Sequence, residues 1–162
     1  YSADREKEIL TRLAKVNKGP LTDESIESIY REVMSASLSL EKPLTIAYLG
    51  PQATNSHFAA LKKFGSSVSY QACENISDIF CEVEKGNCDY GVVPIENSIE
   101  GVVSHTLDMF MDSDLKICAQ ILLEVSHNLL SNTRKENIKR IYSHPNVFGQ
   151  CRIWLETNLP RV

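Results

Sequence analysis

Three clusters in this sequence place hydroxyl, amide and acidic side chains where a small anion could be held. They are Thr54-Asn55-Ser56, Glu96-Asn97-Ser98, and Ser143-His144 with Gln150 beyond. Each follows a strand-like apolar run and precedes a helical one. Unsatisfied backbone amides at a helix start suit an anion. Neighbouring hydroxyls and carboxamides add neutral hydrogen bonds, so a carboxylate or phosphate could be bound without a metal. Neither standard glycine-rich phosphate cradle is present, because Gly50-Pro51-Gln52-Ala53 keeps a single glycine. A nucleotide is therefore disfavoured and a small carboxylate preferred. Singly, each cluster reads as an ordinary helix cap; three along one sheet edge read as a site. No Gly-x-Ser-x-Gly elbow makes a serine a good nucleophile candidate. His144, before Pro145, reads as a donor, a base or a satisfied loop residue.

The elements that must position these groups follow from periodicity. Ile9, Leu10, Leu13 and Val16 recur at helical spacing from Asp4 to Asn17, and Lys18-Gly19-Pro20 stops the helix. Thr22 caps a second helix with Asp23 and Glu24 in its first turn and a stripe of Ile26, Ile29, Tyr30, Val33, Met34 and Leu38 expected to be buried. A lone hairpin buries too little to stand alone, so these faces need more helices or a partner chain. After the linker Glu41-Lys42-Pro43 the pattern becomes alternating strands and helices. Strands are expected at Leu44–Leu49, Val68–Ala72, Tyr90–Val93, Leu115–Ser126 and Ile138–Tyr142. Helices are expected at His57–Phe64, Ile76–Lys85, Ile99–Met111 and Val147–Thr157. Repeated strand, polar loop and helix units predict an α/β fold with a mostly parallel sheet. Pro94 removes a ladder donor and ends the third strand just before Glu96.

The chain has 162 residues, is 43% hydrophobic and carries a net charge of −4, enough for a real core and without a basic face for nucleic acid or anionic lipid. No apolar run approaches a bilayer span and no signal-peptide pattern opens the chain, so a cytoplasmic protein is expected. Five cysteines without a Cys-x-x-Cys pair read as reduced thiols, not a disulfide framework or zinc site. No metal is expected. The chain starts at Tyr1 and stops soon after a helix, which reads as a fragment.

Three ordered motifs resemble the prephenate dehydratase domain: Ala47-Tyr48-Leu49-Gly50-Pro51-Gln52-Ala53-Thr54, Gly91 through Gly101 with Pro94-Ile95-Glu96-Asn97-Ser98, and Tyr142-Ser143-His144-Pro145 through Gln150-Cys151. Residues 1–42 resemble the last part of a helical chorismate mutase domain, on Asp4-Arg5-Glu6 and on the helix with Ser37 and Glu41.

That resemblance implies a helical hairpin over residues 1–42, then a two-lobed α/β dehydratase domain over 44–162 like periplasmic binding proteins of type II. The first lobe would cover 44–116 and the start of a truncated second lobe 117–162. Prephenate would lie in the cleft, with Thr54, Glu96, Asn97 and Ser98 from one side and Ser143, His144 and Gln150 from the other. Glu96 is the candidate acid, provided its pKa is raised beside a dianionic substrate. The reaction would give phenylpyruvate, carbon dioxide and water without a cofactor. Arg5, Glu6, Ser37 and Glu41 would be the mutase remnant, facing chorismate, and the full-length protein would be a homodimer.

The family's Thr-Arg-Phe motif, whose threonine is the leading candidate for the proton donor, is absent here, as is the phenylalanine-binding regulatory domain. Ala53-Thr54-Asn55 departs from the common Gly-Thr-Phe. The fragment alone is expected to be inactive and marginally stable or self-associating. The alternative reading is a non-catalytic small-carboxylate binding module with the same two-lobed cleft.

Overall fold

The computed structural model describes residues 3–97, 101–160 and 162. The chain divides into two compact units, Tyr1–Leu123 and Glu124–Val162.

The first unit opens with α1 (Ala3–Val16) and α2 (Asp23–Glu41). Thr22 caps α2 by accepting from the Ser25 amide, with Asp23 and Glu24 in the first turn, as expected. Strand β1 (Thr45–Leu49) follows, then α3 (Asn55–Phe64), β2 (Ser69–Cys73), α4 (Ile76–Glu84) and β3 (Tyr90–Val92). The three strands form a parallel sheet in the order β2-β1-β3. Ile46, Ala47 and Tyr48 are buried along β1, as a central strand covered on both faces requires.

One side of this sheet packs Leu44, Ile46, Tyr48 and Val92 against Ala60 and Phe64 of α3. The other packs Ala47, Cys73 and Cys88 against Ile79 of α4. Gly91 lets α4 come close, because a Cβ there would lie 2.6 Å from Ile79 Cγ2.

Only part of the expected apolar stripe of α2 is covered: Ile26, Met34 and Leu38 are half-buried, with Leu38 packed against the core. Ile29, Tyr30 and Val33 are exposed, whereas Ser35 is buried. The reason is the neighbour. Helix α2 lies against the turn after α3, where Gly65, at φ 75°, leaves no room for a Cβ, which would sit 2.6 Å from that of Ser35. Ser35 Oγ accepts from the Ser67 amide at 3.2 Å, and Glu32 accepts from the amide and hydroxyl of Ser66.

Three other expectations are corrected. Ile99–Met111 is not one helix. Among the described residues β4 (Glu96–Asn97) pairs antiparallel with β5 (Gly101–Val102), and only then does α5 (Ser104–Asp112) begin. Leu115–Ser126 and Ile138–Tyr142 form no strands. A strand needs a ladder partner, and no described residue pairs with either run. Ile121 instead packs on the α3 side of the core, and Lys62 Nζ donates to the Leu122 carbonyl at 3.0 Å.

The second unit contains a 3-10 turn (Lys135–Asn137) and α6 (Pro145–Asn158). Lys135 Nζ bonds Asn158 Oδ1 at 2.8 Å and lies 5.3 Å from the Trp154 ring centroid.

Candidate functional site

Strands β1 and β3 are adjacent and parallel, so the loops after them leave the sheet at one edge. Strand β2 lies on the other flank of β1. Connections from the middle of the sheet therefore diverge beside the carboxyl ends of β1 and β3. This is the crevice where open α/β sheets take ligands.

The first loop runs from Gly50 to Thr54. Thr54 is the N-cap of α3, with its Oγ1 donating to the Leu49 carbonyl at 2.9 Å and accepting from the His57 amide at 3.3 Å. Its hydroxyl proton is thus committed, and toward a ligand it can act only as an acceptor. Ala53 has φ 67°, in the left-handed region. Its amide donates to Nδ1 of buried His57 at 3.2 Å. The His57 ring stacks on Tyr48 with centroids 4.7 Å apart and meets Tyr70 edge-on at 5.7 Å. His57 is not among the residues that sequence reasoning selects. Its signal is position: three residues after an N-cap threonine, where a capping-box side chain reaches back to the amides at the helix entrance.

In the second loop, Val93 and Pro94 end the ladder and Glu96 and Asn97 enter the β4–β5 pairing, opposite Val102 and Gly101. The Val103 amide closes this hairpin on the Ile95 carbonyl at 2.9 Å. Thr106, fully buried on α5, donates to the Pro94 carbonyl at 2.6 Å and fixes the strand end from behind. Glu96 is exposed and Asn97 half-buried. Ser98 lies outside the described residues.

In the second unit, His144 caps α6, its Nδ1 accepting from the Asn146 amide at 3.3 Å. Nε2 then carries the proton of the neutral ring and can donate. Ser143 is exposed. Gln150 Oε1 bonds Nε2 of His127, a partner that the sequence does not reveal.

The remaining named residues meet elsewhere in the first unit. Arg5, Glu6, Ser37 and Glu41 line one cavity of about 220 Å³ between the helical hairpin and α3, shared with Arg31 and Lys63. Glu6 is buried, pairs with Lys63 Nζ at 2.9 Å, and lies 4.0 Å from Arg31 Nε. That nitrogen is buried and donates no hydrogen bond to any described residue. Ser37 Oγ donates back to the Val33 carbonyl at 2.9 Å.

Burial pushes the Cys73 and Cys88 thiols upward, away from thiolate reactivity. Tyr70 is raised by burial too, so its hydroxyl stays protonated and donates to the Gly65 carbonyl. Among the described residues no group of three or more His, Cys, Asp or Glu could hold a metal ion. Nor is any described helix long and apolar enough to cross a membrane.

A family model described as prephenate dehydratase matches residues 46–162. The chain belongs to the prephenate dehydratase family. A second model, chorismate mutase type II, matches residues 1–42. The bifunctional chorismate mutase/prephenate dehydratase of Aquifex aeolicus is 50% identical over 98% of this chain and 45% of its own length. The protein of the same description from Pseudomonas aeruginosa is 45% identical over 100% of this chain and 45% of its own length. The prephenate dehydratase of Lactococcus lactis subsp. cremoris is 38% identical over 73% of this chain and 42% of its own length. This prephenate dehydratase family chain thus spans less than half of those relatives. No solved structure matches it.

Proposed function

We propose that the protein carrying this chain converts prephenate to phenylpyruvate, carbon dioxide and water, and that residues 1–42 belong to a mutase segment supplying prephenate from chorismate. The observation that carries this reading is the position of the Thr54 and Glu96-Asn97 loops at one sheet edge, beside the strands where the connections diverge. Residues 44–162 would form the two-lobed, periplasmic-binding-protein-like dehydratase domain, 44–116 in one lobe and 117–162 in the other.

The reaction expels a ring hydroxyl and a ring carboxylate together, and aromatisation drives it without a cofactor. It needs a donor at the leaving hydroxyl and a pocket that holds the side-chain carboxylate while leaving the departing one weakly solvated. Asn97, Ser98, Ser143 and Gln150 supply neutral hydrogen bonds for orientation. His144 adds a donor through Nε2. Thr54, its proton committed to Leu49, accepts from a substrate hydroxyl. Glu96 is the candidate acid on this chain. The mutase remnant would use Arg5, Glu6, Ser37 and Glu41 around one cavity. The protein would be a cytoplasmic homodimer acting on these small molecules, with no nucleic acid or membrane partner.

The test is phenylpyruvate formation from prephenate, comparing this chain with one extended through the natural carboxyl end. Turnover only by the extended chain is expected, with Asn97→Ala and Gln150→Ala lowering it. An extended chain that binds prephenate without turnover would instead make this a binding module.

A further inference from the structure

We infer that His57 is a positioning residue for the substrate loop: its Nδ1 holds the Ala53 amide, and so fixes where Thr54 stands at the sheet edge. The inference rests on the proposed dehydratase reading for its effect on turnover, but not for its effect on the loop.

The geometry is closed on both sides. Ala53 adopts φ 67°, a region costly for a residue with a Cβ, so the loop needs an interaction to hold it there. The interaction present is the 3.2 Å bond from Ala53 N to His57 Nδ1. His57 also returns its own amide to Thr54 Oγ1 at 3.3 Å. The imidazole is held in turn. It is 8% exposed, stacked on Tyr48 of β1 and met edge-on by Tyr70 of β2, so its plane is set by the sheet. An accepting Nδ1 makes the ring the neutral Nε2–H tautomer. The chain of contacts therefore runs from β1, through the ring, to the backbone that presents Thr54.

A core histidine that merely filled space would be replaceable by any ring of similar size. A positioning histidine must keep an acceptor at the δ position. Three variants in the full natural chain separate these roles. His57→Phe keeps the stack and loses the acceptor. His57→Gln moves the polar end outward. His57→Asn keeps an acceptor at δ.

Two readouts are taken. Exchange of the Ala53 amide with solvent is expected to quicken about tenfold or more in His57→Phe and His57→Gln and to stay near the parent in His57→Asn. The kcat/KM for prephenate is expected to fall about tenfold or more in the first two and less than about threefold in His57→Asn. Unchanged Ala53 exchange in a folded His57→Phe variant overturns the inference. So does a His57→Asn variant that loses as much as His57→Phe in both readouts. A parent chain without prephenate turnover overturns the functional reading instead, and the Ala53 exchange then decides on His57 alone.

Discussion

The Lys63 ammonium on α3 lies 2.9 Å from a carboxylate oxygen of Glu6 on α1, and both side chains are largely buried. This pair joins the segment matched by the mutase model to the segment matched by the dehydratase model. Removing Lys63 leaves the Glu6 carboxylate with Arg31 Nε at 4.0 Å as a poorer substitute. Lys63→Met is therefore expected to destabilise the first unit by about 2 kcal/mol, below the cost of stranding a fully buried charge. A Lys63→Met/Glu6→Gln double variant should recover part of that loss. Urea unfolding of the four proteins checks it, and additive losses would mean that the pair contributes nothing as a pair.

A second bond across the same seam predicts a pH dependence. Lys42 Nζ donates to Asp89 Oδ1 at 2.6 Å, and the Thr45 amide donates to the other carboxylate oxygen at 3.0 Å. These bonds, the Lys42 bond first, hold the Asp89 carboxyl below its usual range, and the Asp89 carboxylate raises Lys42. A depressed folded-state carboxyl contributes stability that is fully present above its unfolded value of about 4 and is lost as pH falls through the folded value. A raised lysine contributes stability present below about 10.4 and lost as pH rises through its folded value. Asp89→Asn should thus lower the urea midpoint at pH 7 and flatten its decline below pH 4. An acid limb identical to the parent's would contradict this.

The bond from Thr106 Oγ1 to the Pro94 carbonyl sets the base of the Glu96-Asn97 hairpin. Thr106→Val keeps the shape and strands a carbonyl, at an expected cost of about 1–2 kcal/mol. Because Pro94 leads directly into the loop, exchange of the Val103 amide, which bonds the Ile95 carbonyl, should quicken as well. If stability falls while Val103 exchange is unchanged, Thr106 supports the core and not the hairpin.

How much of this is legible in the sequence varies with the range of the interaction. Thr22 and Thr54 announce their caps because the signal lies within three residues of the bond it makes. The strand ending at Val92 is visible because Pro94 removes a donor whatever surrounds it. The α2 face differs in part from its expected stripe because period alone says that a stripe exists, not which neighbour arrives. Gly65 comes within reach of Ser35 from thirty positions away in the chain, and a polar position is buried. The β4–β5 hairpin reads as helix in the sequence because Ile99, Val102 and Val103 have apolar spacing. The entry into β5 is instead marked by Gly101 at φ 80°. Of the candidate site, the loops and their polar residues are legible. What is not legible is that Thr54 is committed to Leu49 and that His57 holds its neighbour.

Ala53 offers the sharpest test of that loop. At φ 67° a Cβ is disfavoured. Ala53→Gly relieves roughly 1 kcal/mol of backbone strain but gives back about 0.4–1 kcal/mol through the larger freedom of the unfolded chain. The net change in unfolding free energy should therefore be small. Ala53→Val meets the opposite balance, because a branched Cβ tolerates this region least, and about 1–2 kcal/mol should be lost. The two variants also differ in what they do to the bond from Ala53 N to His57 Nδ1. Glycine can keep it, whereas valine is expected to pull φ negative and break it. Slow exchange of the residue 53 amide in Ala53→Gly, with fast exchange in Ala53→Val, would tie the left-handed conformation to the histidine. Equal stability of the valine variant and the parent would mean that the loop relaxes freely and that nothing at the sheet edge depends on its shape.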